Sequence, residues 1–327
     1  IDDLVHDFNI TSSELKTTPK NLLRYKESTI VAQNSSEASF IEKFDESLEL
    51  VKSEQLAPNE RIITSGVVHF QSKDASYVVV SVSKTVESST EYYINTYDID
   101  LNFKHATKIA DAAYSIVEFQ GKVLIGVGNH LRLFDIGLKQ LLSKANSRIE
   151  SVSQIVRIET QGNRVVIGDI RESVTFLIFK PNMNEFLPFA DDVLPRHITS
   201  IKLLDYNTVI GGDKFGNLFV LRATEEASKV SDTNSTFLIT QDKVLNGAPY
   251  KLSNICNFYI EDIPTSFSKG SFTIGGRDIV IYSGLQGTIG ALIPLLTKSD
   301  IKFFHNLEKA MRTYKEDLLG RMNLMFR

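Results

Sequence analysis

The chain has 327 residues, 42 % of them hydrophobic, enough for one large β domain or two ordinary domains. Its 36 Lys and Arg stand against 40 Asp and Glu, a net charge of -4, and they are scattered rather than clustered. That balance argues against a protein built to grip phosphates, and a lone Cys256 excludes an internal disulfide framework and a cysteine metal site.

The opening Ile1-Asp2-Asp3 has no basic region followed by an apolar one, so it does not read as a signal peptide. Without Met at the start, and with an end at Phe326-Arg327, the chain reads as a piece of a longer protein. Sequons at Asn9, Asn34 and Asn234 are of a kind that arises by chance in Ser- and Asn-rich stretches. Cys256 is expected in the core, and the compartment reads as reducing, hence cytosol or nucleus. No membrane partner is expected, because the longest apolar run, near Ile289–Leu296, is far short of the roughly 20 residues a membrane helix needs.

Strands begin early, at Asn21–Val31 and Phe40–Lys52, and then a repeat sets in. Val123-Leu-Ile-Gly126, Val165-Val-Ile-Gly168 and Val209-Ile-Gly-Gly212 match one another, with an earlier copy at Tyr77–Val80 and a later one at Val280–Ser283. Each copy leads through a Gly or Asp turn to a second apolar run: Leu131–Ile136, Val174–Phe179, Leu218–Leu221 and Ile289–Leu295. Short Val-, Ile- and Phe-rich runs bounded by turn residues are strands. Val174–Phe179 is apolar on both faces, the mark of a strand covered from both sides. A period of about 40 to 45 residues with roughly four strands per copy predicts a β-propeller, and the same arithmetic predicts about seven four-stranded blades. The chain has no Trp, so the Trp-Asp signature of one propeller class is absent. The excess before the last copy falls in a polar insertion, 223–250, read as a flexible segment of which Glu225–Thr236 costs little to delete. Past Pro294, Ser299-Asp300 can cap a helix on which Phe303, Leu307, Ala310 and Tyr314 share a face, with Gly320 as its stop. The domain reading is therefore 1–298 as propeller and 299–327 as the start of a C-terminal helical domain.

Chemistry is hard to find in this pattern. None of the six His pairs at metal spacing, and there is no His-Glu-x-x-His. Asp98-Ile-Asp100-Leu-Asn102 opens like a calcium loop, but Phe103 and Ile109 stand where Gly and Glu are required, so it reads as a strand-end turn. Gly126-Val-Gly128 leads into a strand, so it lacks the helix N-terminus of a phosphate site. Asp191-Asp192 reads as a pair that orders a loop rather than an acid/base pair. No catalytic, cofactor or metal residue is assigned. At Asp213-Lys-Phe-Gly-Asn217 the expectation is a structural turn, with Asp213 accepting N–H groups and Gly216, like its counterpart Gly287, at positive φ. Partner-binding residues are expected on the connection after Phe179, at Phe186, Leu194, Arg196 and His197, unless Phe186 and Leu194 pack beneath it.

Several segments resemble one family of large propeller proteins. They are Phe189-Ala-Asp-Asp-Val-Leu-Pro-Arg196, Leu203–Asn217, Phe119–Gly128, Tyr282–Gly290 and Phe303–Glu308. That family includes the propeller subunit of splicing factor 3b, the large damaged-DNA-binding protein and the largest cleavage and polyadenylation specificity factor subunit. Asp213–Asn217 and Gly320-Arg321 are similar to the splicing branch, although Met322-Asn323 depart from its usual acidic-His pair. The resemblance implies the last of three propellers in a nuclear scaffold of the U2 snRNP. Its partners would be other splicing factor 3b subunits, especially the helical-repeat large subunit and the small subunits, and the other propellers of the same chain. RNA contact would be indirect or weak. The alternatives are a ubiquitin-ligase adaptor or an mRNA 3′-end processing subunit on the same fold, and a propeller hydrolase, for which the sequence offers no convergent acids.

Overall fold

The computed structural model describes residues 12–233, 247–271, 276–295 and 297–311. They form an all-β protein of the β-propeller class, with two helices and six sheets. The first sheet is β1 (Thr18–Tyr25), β2 (Ser28–Asn34), β3 (Ser39–Phe44) and β4 (Leu50–Gln55). The second is β5 (Glu60–Phe70), β6 (Ala75–Val86), β7 (Ser89–Asp98) and β8 (Phe103–Ile109), and the third is β9 (Ala113–Phe119), β10 (Lys122–Val127), β11 (His130–Asp135) and β12 (Leu142–Arg148). The fourth sheet orders β13 (Ile155–Gln161), β14 (Arg164–Asp169), β15 (Val174–Lys180) and β16 (Glu185–Asp191), with β20 (Tyr250–Lys251) added in parallel beside β16. The fifth orders β17 (Ile198–Asp205), β18 (Thr208–Asp213), β19 (Asn217–Arg222) and β21 (Ser253–Tyr259). The sixth is β22 (Pro264–Gly270), β23 (Ile279–Gly284) and β24 (Ile289–Leu292).

The repeated Val-rich copies are the second strands of these sheets: β6, β10, β14, β18 and β23. Six sheets stand where seven were expected among the described residues. The period arithmetic counted the whole length as blade, whereas Glu225–Thr233 and Lys298–Met311 are helices. The early segments also resolve differently. Asn21–Val31 contains the β1–β2 turn, and Phe40–Lys52 contains the β3–β4 turn.

Contacts divide the chain into two units, one within 1–167 and 177–187, the other within 168–176 and 188–327. In the first unit, each sheet is apolar on faces turned to its neighbours. Ile30, Ile41, Ile62 and Val80 form one core, Val68, Val79, Ile125 and Phe134 another, and Leu124, Leu133, Val165 and Phe179 a third. The glycine of one copy has a steric reason here. A β-carbon on Gly126 would lie 2.6 Å from Ile155 Cγ2, so the second strand of one sheet can approach the first strand of the next only without a side chain. In the second unit, Ile210, Leu218, Phe267 and Val280 form a smaller core, and Pro264 sits where Gly212 lacks a β-carbon.

The insertion is partly built. α1 (Glu225–Thr233) is capped by Thr224, whose hydroxyl accepts the Ala227 N–H at 3.3 Å, and it buries Ala227 and Ser231. Ala248 and Leu252 are buried on the return. The flexible reading of 223–250 is thus corrected at both ends, because small residues let α1 pack closely; Asn234 and the rest of 234–246 lie outside the described residues. α2 (Lys298–Met311) starts on Thr297, whose hydroxyl accepts the Asp300 N–H at 3.0 Å, so the cap is Thr297 rather than Ser299-Asp300. Tyr314, Gly320 and Arg321 lie outside the described residues, as do His6 and Asn9. No helix among the described residues is long and apolar enough to cross a membrane.

Candidate functional site

The turn at Asp213–Asn217 shows how short sequence dictates local form. Asp213 Oδ1 accepts the Phe215 N–H at 2.8 Å and the Asn217 N–H at 3.0 Å, while Asn217 Nδ2 donates back to Oδ2 at 2.8 Å. Closing the loop needs positive φ at the fourth residue, which Gly216 supplies at 85°. Gly287 does the same at 92° between β23 and β24. The would-be calcium loop is this turn again. Asp98 Oδ1 accepts the Asp100 and Asn102 N–H groups, Asn102 Nδ2 donates to Oδ2, and Leu101 takes φ 58°.

With its polar groups satisfied inside, the turn pushes its middle residue outward. Phe215 is 60 % exposed, its ring meets the His197 ring edge-to-face at 5.5 Å, and Lys214 Nζ lies 5.1 Å from its centroid. The preceding connection is held as tightly. Asp192 accepts from Ser173 Oγ at 2.6 Å, Arg196 Nε at 2.9 Å and the Leu194 N–H at 3.2 Å. Val193 and Leu194 then stand out to solvent. Backbone bonds join these pieces into one run: Lys214 N–H to His197 O, Ile260 N–H to Gly216 O, and Leu285 N–H to Ile263 O. Leu194, His197, Phe215 and the exposed Leu285 thus sit on successive, mutually braced turns of the second unit. Exposed apolar groups on a rigid loop frame are what a protein partner can bury.

The structure divides the expected partner-binding residues. Leu194 is exposed and His197 half-buried on this run. Phe186 is not on a connection at all: it belongs to β16, is 2 % exposed, and packs on Phe179 and Phe119 at ring distances of 4.8 and 5.7 Å. It is core, so it is withdrawn as a contact residue. Arg196 is withdrawn too. Its guanidinium is buried over the Phe219 ring at 4.3 Å and paired with Asp192. The cation is stacked and paired through Nε, so it is spent on the fold, although its buried Nη2 has no hydrogen-bond partner among the described residues. Phe215 is a contact candidate that the sequence reading does not single out, because it lies inside a motif that reads as a structural turn. The signal was present: an aromatic in the middle of a tight polar turn has no core to enter.

Asp191 and Asp192 face different partners, Asp191 holding the Ala248 N–H and Lys251 Nζ. Cys256, expected in the core, is exposed, because β21 is the last strand of its sheet. Asn34 exchanges two hydrogen bonds with the Ile62 backbone. Among the described residues, no group of three or more His, Cys, Asp or Glu is placed to hold a metal ion.

Comparison with known proteins places residues 35–327 on the family model described as the CPSF A subunit region. The chain is 39 % identical over 324 residues to "Pre-mRNA-splicing factor RSE1" of Debaryomyces hansenii, a match covering 89 % of this chain and 26 % of that protein. It is 42 % identical to the protein of the same name in Candida albicans, over 90 % of this chain and 25 % of that one. To "Probable splicing factor 3B subunit 3" of Dictyostelium discoideum it is 41 % identical, over 69 % of this chain and 18 % of that one. The chain spans about a quarter of the length of the fungal relatives it matches.

Proposed function

The chain belongs to the CPSF A subunit region family, and we propose that it is a non-catalytic scaffold of pre-mRNA splicing. The observation that carries this reading is identity of 39 to 42 % along nearly the whole chain with proteins named as splicing factors. In the finer reading, the chain is the last propeller of the large propeller subunit of splicing factor 3b. It acts in the nucleus within the U2 snRNP and supports branch-site recognition through the helical-repeat large subunit. Residues 1–298 carry the blades, and 299–327 open a helical domain. RNA is touched weakly or through partners, which fits a net charge of -4 with no basic field.

The braced run of Leu194, His197, Phe215 and Leu285 supports a binding role, since these side chains meet solvent on turns held by their own hydrogen bonds. Pre-organised contacts lose little entropy on binding. The test is assembly. Leu194→Asp with Phe215→Asp in the full-length protein should weaken its association with the other splicing factor 3b subunits while leaving the melting temperature close to the parent's. Unchanged association would remove this run from the contact surface.

A second reading, a subunit of the mRNA 3′-end cleavage and polyadenylation machinery, has support in the family description itself. It predicts a different set of co-purifying proteins from the same preparation.

A further inference from the structure

β21 is anchored at both ends by bonds outside its own ladder. At the far end the Ile260 N–H donates to Gly216 O at 2.9 Å. At the near end the chain is gathered on one residue of the neighbouring sheet. Asp191 O accepts the Leu252 N–H at 2.8 Å, its Oδ2 accepts the Ala248 N–H at 3.0 Å, and its Oδ1 accepts from Lys251 Nζ at 2.6 Å. Tyr250 and Lys251 pair in parallel with Ala190 and Asp191, which makes β20. Gly247 takes φ 139°, and a β-carbon there would run into the Asp191 carboxylate, so the backbone passes directly over the acid. Ala248, Leu252 and Asp191 are buried, whereas the Lys251 side chain is 43 % exposed.

Between these anchors β21 carries one residue too many. Ser253 lies opposite Arg222 and Asn254 opposite Leu221, but Cys256 rather than Ile255 lies opposite Val220, and the pairing then runs unbroken to Tyr259 opposite Asn217. Seven residues thus face six, and Ile255 is the surplus. A bulge of this kind interrupts the ladder and leaves its extra residue unpaired. Moving Ser253 and Asn254 by one place would remove it, with Ile255 opposite Leu221 and Asn254 opposite Arg222. That shift would carry Leu252 about 3.3 Å along the strand, away from the Asp191 carbonyl that holds it. The bulge is therefore the point where two anchors disagree by one residue.

We infer that Asp191 and Lys251 form a charge-dependent clasp that selects the register of β21, and that releasing it opens a second, continuous register. Both are positioning residues. Asp191 draws the near end of β21 toward the fourth sheet, and Lys251 balances the charge of its buried carboxylate. A half-exposed ion pair is screened by salt, so the choice of register answers to ionic strength. A one-residue shift turns Ser253 and Asn254 to the opposite faces of the sheet, so the two registers present different surfaces. The inference does not rest on the splicing assignment, nor on the run of turns around Phe215.

Cross-strand disulfides in the full-length protein read the register. In a Cys256→Ala background, Arg222→Cys with Ser253→Cys reports the bulged register and Arg222→Cys with Asn254→Cys the continuous one, because a disulfide closes only between facing positions. Both pairs are oxidised under the same conditions and quantified by peptide mass spectrometry. With the clasp intact, the first pair should close and the second should lag well behind it. Asp191→Ala should shift the ratio toward the second pair roughly tenfold, the scale of lost hydrogen bonds to a charged group. Lys251→Met, at a half-exposed side chain that the fold can spare, should shift it about twofold to fivefold, and 1 M salt should act on the parent in the same direction. Should Asp191→Ala fail to fold, Lys251→Met and the salt series read the same shift. A ratio that is the same in the parent, in Lys251→Met and at high salt would overturn the proposal. So would loss of closure by both pairs in Lys251→Met, since the strand end would then fray instead of changing register.

Discussion

The carboxylate of Asp262 occupies the space where Gly284 would carry its β-carbon. From there it accepts the N–H of Ile263 at 2.7 Å and of Gln286 at 3.1 Å, bracing the β23–β24 turn from outside the hairpin. The first unit repeats the relationship. Asp111 accepts the Ala112 N–H at 2.7 Å, and its Oδ2 would lie 2.7 Å from a β-carbon on Gly128. In both, an acid just before a sheet's first strand fills the space beside a glycine at the end of its second, and Asp262 in addition accepts an N–H of the turn that follows.

Gly284→Ala should therefore lower the melting temperature, because the new methyl must displace Asp262. Made in an Asp262→Gly background, the same substitution should cost less, since the space is already empty. Calorimetry of the four proteins measures the coupling. Additive losses would mean that the two residues do not share this space.

Asp98 gives a pH dependence. Burial pushes its carboxyl up, but hydrogen bonds from Asn102 and Lys104 outweigh this and bring it down to about 2, from an ordinary 3.8. The folded value lies below the unfolded one, so the stabilisation is complete above about pH 4 and is lost as the pH falls toward 2. Asp98→Asn should melt below the parent at pH 7, with the gap closing in acid. A gap that is the same at pH 7 and pH 2.5 would show that charge has no part in it.

Close approach between sheets predicts that Gly126→Ala destabilises by about 1–3 kcal/mol, the scale of overpacking a fixed core, because Ile155 is fully buried and cannot yield. Gly270→Ala is the control: no atom lies within 4 Å of its β-carbon, and the variant should melt with the parent. Equal behaviour of the two would contradict the packing account.

Phe186 and Phe215 separate core from surface. Phe186→Ala should cost about 3–5 kcal/mol in chemical denaturation, as large-to-small changes in a packed aromatic cluster do. Phe215→Ala should leave stability nearly unchanged.

These residues also show how far the sequence could be read. The Val-x-x-Gly copies were legible because a second strand buried on both faces must be apolar throughout, and because Gly126 must be small where Ile155 arrives. The turn at Asp213 was legible because its hydrogen bonds close within five residues. Arg196 was misread because its fate depends on Phe219, a strand away, and local pattern carries no record of that stacking. For Phe186 the sequence leaves contact and core both open, and the start of β16 at Glu185 places it in the core. Thr297, Ser299 and Asp300 can all cap a helix, and only the geometry selects Thr297. The exposure of Cys256 follows from strand order, which the order of residues along the chain does not reveal.

Affinity purification of the full-length protein from nuclear extract, followed by mass spectrometry and RNA sequencing, separates a splicing scaffold from the alternatives. A splicing factor 3b scaffold should recover the splicing factor 3b subunits and U2 snRNA, with both reduced for Leu194→Asp with Phe215→Asp. Recovery instead of ubiquitin-ligase components or the 3′-end cleavage machinery, without U2 snRNA, would contradict it.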